Sequence, residues 1–185
     1  LERAHRKDPG NPIVASMLAA TLMFKGVGEL GGRPLSEEDL RRAVDLARAA
    51  DRAVPPNPLA QLVLAFDRLL AGDADDARRR MRNLLASESL SPTFRSMCGI
   101  GLLLSGDWRD GVDQLCEALA LNPDHPRWQH GFLSLDALAL GQPDVALEEA
   151  RLVDAPGLVW GPLLRAVALG ASDRIEEARA ELGRV

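Results

Sequence analysis

The sequence predicts an all-α protein, a solenoid of about five antiparallel helix pairs. Two spacings and the composition predict it. Glycines followed by a polar residue recur at Gly72-Asp73, Gly106-Asp107 and Gly141-Gln142, with intervals of 34 and 35 residues. Prolines recur at Pro58, Pro92 and Pro126, each 34 residues after the last. A fixed period of this size marks a repeat architecture, in which one supersecondary unit stacks on the next because none can bury its apolar face alone. The 185 residues are also rich in Ala and Leu, which favour helix, and sparse in the Val and Ile that strands need.

The units follow in order. Residues 1–9 read as the end of a preceding repeat. Together with an opening residue that is not Met, this leads us to expect a piece of a longer protein. The first full repeat, 12–55, has a first helix from Pro12 to about Lys25. A long loop with four glycines follows between Gly26 and Leu35. Ser36-Glu37-Glu38-Asp39 resembles a capping box, with Asp in place of Glu, and opens a second helix to about Arg52. The second repeat, 58–91, turns at Ala71-Gly72-Asp73, and its second helix runs from about Ala74 to Ala86.

The third repeat, 92–125, shows the pattern most fully. Ser91 is placed as an N-cap and Pro92 at a first helical position. Met97, Cys98, Leu102 and Leu104 lead to the turn at Gly106. Val112, Leu115, Cys116 and Leu119 then recur at helical spacing until Asn122-Pro123 stops the helix. The fourth repeat, 126–155, turns at Gly141-Gln142-Pro143. The fifth, 156–185, has a longer-looking turn at Gly170-Ala171-Ser172-Asp173.

Laid against one another, these units resemble the tetratricopeptide repeat, whose pattern is Trp-x2-Leu-Gly-x2-Tyr, then Ala-x3-Phe, then Pro. The third unit matches at Arg95, Cys98, Gly99, Leu102, Gly111, Leu115, Ala118 and Pro123. The second matches at Gln61, Leu64, Ala65, Arg68, Ala77, Met81, Leu84 and Ser89. The first matches at Ala15, Leu18, Ala19 and Leu22, then at Ala43, Ala47, Ala50 and Pro55 after the insertion. Small residues at Ala19, Ala65, Gly99 and Ser134 are expected where paired helices approach closely. Most aromatic positions carry Leu, Met or Ala, so the repeats are degenerate. The segments Leu121 to Trp128 and Pro156 to Trp160 further resemble the C-terminal repeat region of bacterial signalling proteins. There such repeats follow a class III nucleotide-cyclase domain, a winged-helix domain or another effector. The resemblance implies a right-handed stack that serves as a protein-interaction or regulatory module, and no enzyme.

In such a stack the first helix of each pair lines the concave face. The residues expected to meet a partner there are Phe24, Leu62, Phe66, Leu69, Ile100, Leu103, Trp128, Leu135, Trp160 and Leu164. They are apolar, so an amphipathic or apolar helix of a partner is expected rather than a carboxylate tail held by Lys, Arg and Asn. The same side chains at helical spacing are also what a core requires. A sensor enclosing an apolar ligand and a self-associating device are the alternative functions.

Catalytic, metal and cofactor residues are not expected. His125 and His130, five apart with Pro126 between, do not share one helix face as a metal pair would. Cys98 sits at a core position. Cys98 and Cys116 are two cysteines in a chain with no disulfide framework, which points to a reducing cytoplasm. The run Arg78-Arg79-Arg80-Met81-Arg82 follows Asp73, Asp75 and Asp76 and reads as a solvated helix face. Gly26-Val27-Gly28 lacks the Gly-Lys-Ser/Thr of a phosphate loop. The Glu148-Glu149 and Glu176-Glu177 pairs belong to solvent-facing stretches of second helices and are assigned no acid/base role. A net charge of −5 gives no basic footprint for nucleic acid, and no apolar run is long enough to span a membrane.

Overall fold

The computed structural model describes residues 1–28, 36–86, 90–153 and 159–183, with the side chains of all of these except 25–28. Every regular element among the described residues is helical. The chain divides into two compact units, Leu1–Leu121 and Asn122–Val185.

The first unit holds α1 (Glu2–Lys7), α2 (Pro12–Gly28), α3 (Glu37–Asp51), α4 (Pro58–Leu70), α5 (Ala74–Leu85), α6 (Pro92–Leu104) and α7 (Trp108–Leu121). α2 pairs with α3, α4 with α5, and α6 with α7. First helices also pack on first helices, α2 on α4 and α4 on α6. This is the neighbour pattern of a stacked-pair solenoid. Helix α2 carries three residues beyond the expected Lys25, so Gly26-Val27-Gly28 is helix rather than loop. The rest of the expected loop, 29–35, lies outside the described residues, as does Ser89.

The second unit opens with a 3-10 turn, Arg127–Gln129, followed by α8 (His130–Ala139), α9 (Pro143–Leu152), α10 (Trp160–Ala171) and α11 (Ile175–Leu182). α8 pairs with α9, α10 with α11, and α8 packs on α10. Pro126 was expected at a helix start. It caps the 3-10 turn instead, and the α-helix begins at His130.

Capping side chains set the helix starts. Asn57 Oδ1 accepts from the Leu59 and Ala60 amides at 3.0 and 3.2 Å, just ahead of Pro58. Ser91 Oγ accepts from Phe94 N–H at 3.3 Å and Ser36 Oγ from Asp39 N–H at 3.1 Å. Each such bond satisfies an amide that the helix leaves unpaired.

Four helices end in one motif. Gly72, Gly106 and Gly141 have φ of +81°, +90° and +69°. The amide after each donates back to the carbonyl five residues earlier, Asp73 to Arg68, Asp107 to Leu102 and Gln142 to Ala137, at 2.8–2.9 Å. This is the Schellman ending. The fourth copy uses Asp173, at φ +59°, with Arg174 N–H donating to Leu169 at 2.9 Å. The last turn is therefore no longer than the others. Its left-handed residue is Asp173 rather than Gly170, which shifts the register of the fifth repeat by three residues.

Small residues stand where the paired helices cross. Ala65 and Ala77, Gly99 and Gly111, Ser134 and Ala146, and Ala166 and Ala178 are all buried. Ser134 Oγ also donates to the Ala146 carbonyl at 2.9 Å. Around them Leu62, Met81, Leu102 and Leu115 are wholly enclosed, each worth about 1.5–3 kcal/mol of burial.

Candidate functional site

A surface that binds another protein needs apolar side chains left uncovered by the chain's own packing. In the first unit, α4 lies between α2 and α6, and its inward residues are covered: Leu62 is 1% and Phe66 8% exposed. Phe24 of α2 is half-buried and meets Phe66 edge to face, with ring centroids 5.0 Å apart. Leu69 is half-buried against the same cluster. Ile100 and Leu103 of α6 are buried. Leu70 and Leu104, at equivalent last positions of α4 and α6, are exposed.

In the second unit, Trp128 and Leu135 are half-buried. The Trp128 ring lies edge-on to Phe132, centroids 6.2 Å apart. Leu164 is buried with Ala150 and Val153, and Leu135 packs against that group. Trp160 is exposed, and it begins a stripe along one side of α10. Trp160, Leu163 and Val167 are 43%, 39% and 49% exposed, at the three- and four-residue steps that put side chains on one helix face.

The register set by Asp173 explains the stripe. Val167 lies six residues before its left-handed turn residue, as Phe66 lies before Gly72. Leu163 lies ten before, as Leu62 does, and Trp160 thirteen before, as Leu59 does. On α4, Leu62 and Phe66 are buried and Leu59 is half-buried, and Phe66 meets Phe24 of the preceding first helix. α10 has α8 on one side, and within its unit no helix among the described residues covers the other. Of the two contact residues expected on α10, Trp160 is exposed and Leu164 is buried.

Charged side chains on α5 pair with one another. Asp76 accepts from Arg80 Nε at 2.8 Å and also pairs with Arg79, while Asp75 pairs with Arg78. The Arg80 hydrogen bond, helped by the charges of Arg80 and Arg79, holds the Asp76 carboxyl below the usual carboxylate range. Arg82 reaches into the following repeat, to Asp107 and, at 3.0 Å, to Asp110. The arginine run is thus engaged by acids of its own chain. An open depression near α1 and α3 has a mixed lining, with Pro9, Leu46 and Ala49 beside His5, Glu38, Arg41, Arg42 and Asp45, and Glu2 and Arg42 pair at 2.6 Å. Burial pushes the Cys98 thiol up to about 12, which disqualifies it as a nucleophile. Cys116 is exposed. No helix among the described residues is long and apolar enough to cross a membrane.

The fold has counterparts among solved structures. One crystal structure of MamA protein aligns over 91% of this chain and 88% of its own, with a TM-score of 0.62 and 18% identity. A second MamA structure aligns over 78% and 85%, with a TM-score of 0.61 and 20% identity. A third, MamA AMB-1, aligns over 90% and 89%, with a TM-score of 0.58 and 17% identity. MamA is a helical-repeat protein of the tetratricopeptide type, and at these identities the likeness is one of fold. No protein-family model matches the chain, and no curated protein matches it.

Proposed function

We propose that this chain is a protein-interaction module that binds an amphipathic or apolar helix of a partner along α10. The observation that carries the reading is the exposed stripe of Trp160, Leu163 and Val167 along one face of α10. A partner helix laid there would bury three large apolar side chains. Trp128 and Leu135, half-buried on the neighbouring elements of the same unit, border the same reading. The resemblance of the last repeats to those of bacterial signalling proteins supports placing the module in the cytoplasm, beside an effector domain.

The test compares proteins captured by the wild-type chain with those captured by Trp160→Glu and Val167→Glu. Both substitutions fall on exposed positions and leave the melting temperature unchanged. Loss of one captured protein in both variants, with a direct contact to α10 mapped by cross-linking, supports the reading. The same captured set in all three chains opposes it. Light scattering on the purified chain separates self-association through the stripe from binding of a different protein.

A further inference from the structure

We propose that the helix docking on α10 is α2 of a second copy of this chain, so that copies associate head to tail. This rests on the reading of α10 as the docking face and names its partner. α2 carries a face of the kind that reading calls for. Ile13 and Met17 are 63% and 45% exposed, four residues apart and so on one side of the helix. Thr21, exposed one turn further on, completes the row. Its hydroxyl donates to the Met17 carbonyl at 2.8 Å, so the donor can be covered without being left unpaired. Ala15, Leu18, Ala19 and Leu22 of the same helix are buried in the core of the unit.

The two faces match in charge and in length. Between Pro12 and Phe24, α2 has no charged residue. α10 has one, Arg165, and Glu181 holds it at 2.8 Å. Pressing the faces together therefore takes no unpaired charge out of water, which is the heaviest cost of burial. Ile13 to Thr21 runs about 12 Å along its helix and Trp160 to Val167 about 10.5 Å, so each row covers the other from end to end.

Among the described residues no other helix offers such a row. Val145 and Leu152 of α9 have the exposed Glu148 on the same face, and Ile175 and Leu182 of α11 have the exposed Arg179 between them. Leu70, Leu104, Leu121 and Leu140 stand singly at helix ends. Because the α2 and α10 faces differ, the contact is heterologous, and a copy that engages its α10 keeps its α2 for the next. Association then continues past two copies, into rings or open chains. One helix laid on another buries less than the roughly 1,200 Å2 of a stable complex, so the association is weak and grows with concentration.

Sedimentation velocity of the purified full chain between about 10 μM and about 1 mM tests this, beside a thermal melt of each variant. The wild-type mass is expected to rise with concentration past that of two copies. Met17→Glu and Val167→Glu, both at exposed positions, melt with wild type and remain monomeric. Mixed in equal amounts they form pairs and nothing larger, because Met17→Glu supplies an intact α10 and Val167→Glu an intact α2. A wild-type chain that is monomeric throughout, or a mixture that stays monomeric, overturns the inference. Association that survives Met17→Glu and is lost in Val167→Glu also overturns it, and leaves α10 as the docking face of another segment. A monomeric chain that captures a different protein, lost in Val167→Glu, likewise removes the second copy and keeps the reading of α10. A monomeric chain whose captured proteins are the same in Val167→Glu fails both.

Discussion

Gly99 of α6 and Gly111 of α7 face each other so closely that neither position has room for a methyl group. A Cβ on Gly111 would stand 2.7 Å from the Gly99 carbonyl oxygen and 2.7 Å from the Leu103 amide nitrogen. A Cβ on Gly99 would stand 2.9 Å from the Gly111 carbonyl oxygen. These neighbours are backbone, so only separation of the two helices relieves the clash. Gly111→Ala is expected to cost about 1–3 kcal/mol, a fall of several degrees in melting temperature. Gly170 is also helical but has nothing within 4 Å of its would-be Cβ. Gly170→Ala is expected to gain about 0.5–1 kcal/mol from helix propensity. Thermal melts of the two variants read the opposite signs.

The shared turn makes a second prediction. Gly72, Gly106 and Gly141 take positive φ without steric cost, whereas Asp173 takes the same conformation with a side chain. Asp173→Gly is expected to stabilise the chain by up to about 1 kcal/mol, and Gly72→Ala to destabilise it by about 1–2 kcal/mol. Denaturant titration measures both. No gain at Asp173 would mean that its side chain stabilises the turn in another way.

Acid should act through the outer helices. The folded-state pKa of Asp76 lies below its ordinary value of 3.8, chiefly through the hydrogen bond from Arg80. A depressed carboxyl contributes stability that is complete above its unfolded-state pKa and is lost as pH falls through the folded value. Asp76→Asn is therefore expected to melt below wild type at pH 6, and the gap should close as the pH is taken down to about 2. A gap independent of pH would assign the loss to helix capping rather than to charge.

Burial divides the apolar residues of the first helices into two kinds. Leu103 is enclosed, so Leu103→Ala is expected to cost about 2–5 kcal/mol and to lower binding only in proportion to unfolded chain. Val167→Ala, at an exposed position, is expected to stay within about 0.5 kcal/mol of wild type while weakening partner binding. Chemical denaturation beside a binding assay separates the two.

The helix pairs were legible in the sequence because their boundaries depend on local chemistry. Asn57-Pro58, Ser91-Pro92 and the glycines at 72, 106 and 141 each carry a cap or a backbone requirement that one residue reveals. The small residues at 19, 65, 99 and 134 were legible for the same reason, since crowding at a crossing excludes anything larger. The fifth repeat misled because Asp173 does a glycine's work, and an Asp in a polar turn carries no such mark. Burial was less legible still. Leu163 and Leu164 are adjacent and identical, and only the turn register decides which is covered. The His130–Glu149 contact spans two helices, and the Arg82–Asp107 contact spans two repeats, so neither follows from spacing within one helix.

The location of the binding face is tested most directly by backbone hydrogen exchange of the chain alone and saturated with a captured partner. The account predicts added protection over α10, Trp160–Ala171, with the outer helices α5 and α7 unchanged. Protection that appears on α5 or α7 and leaves α10 as it was would contradict it.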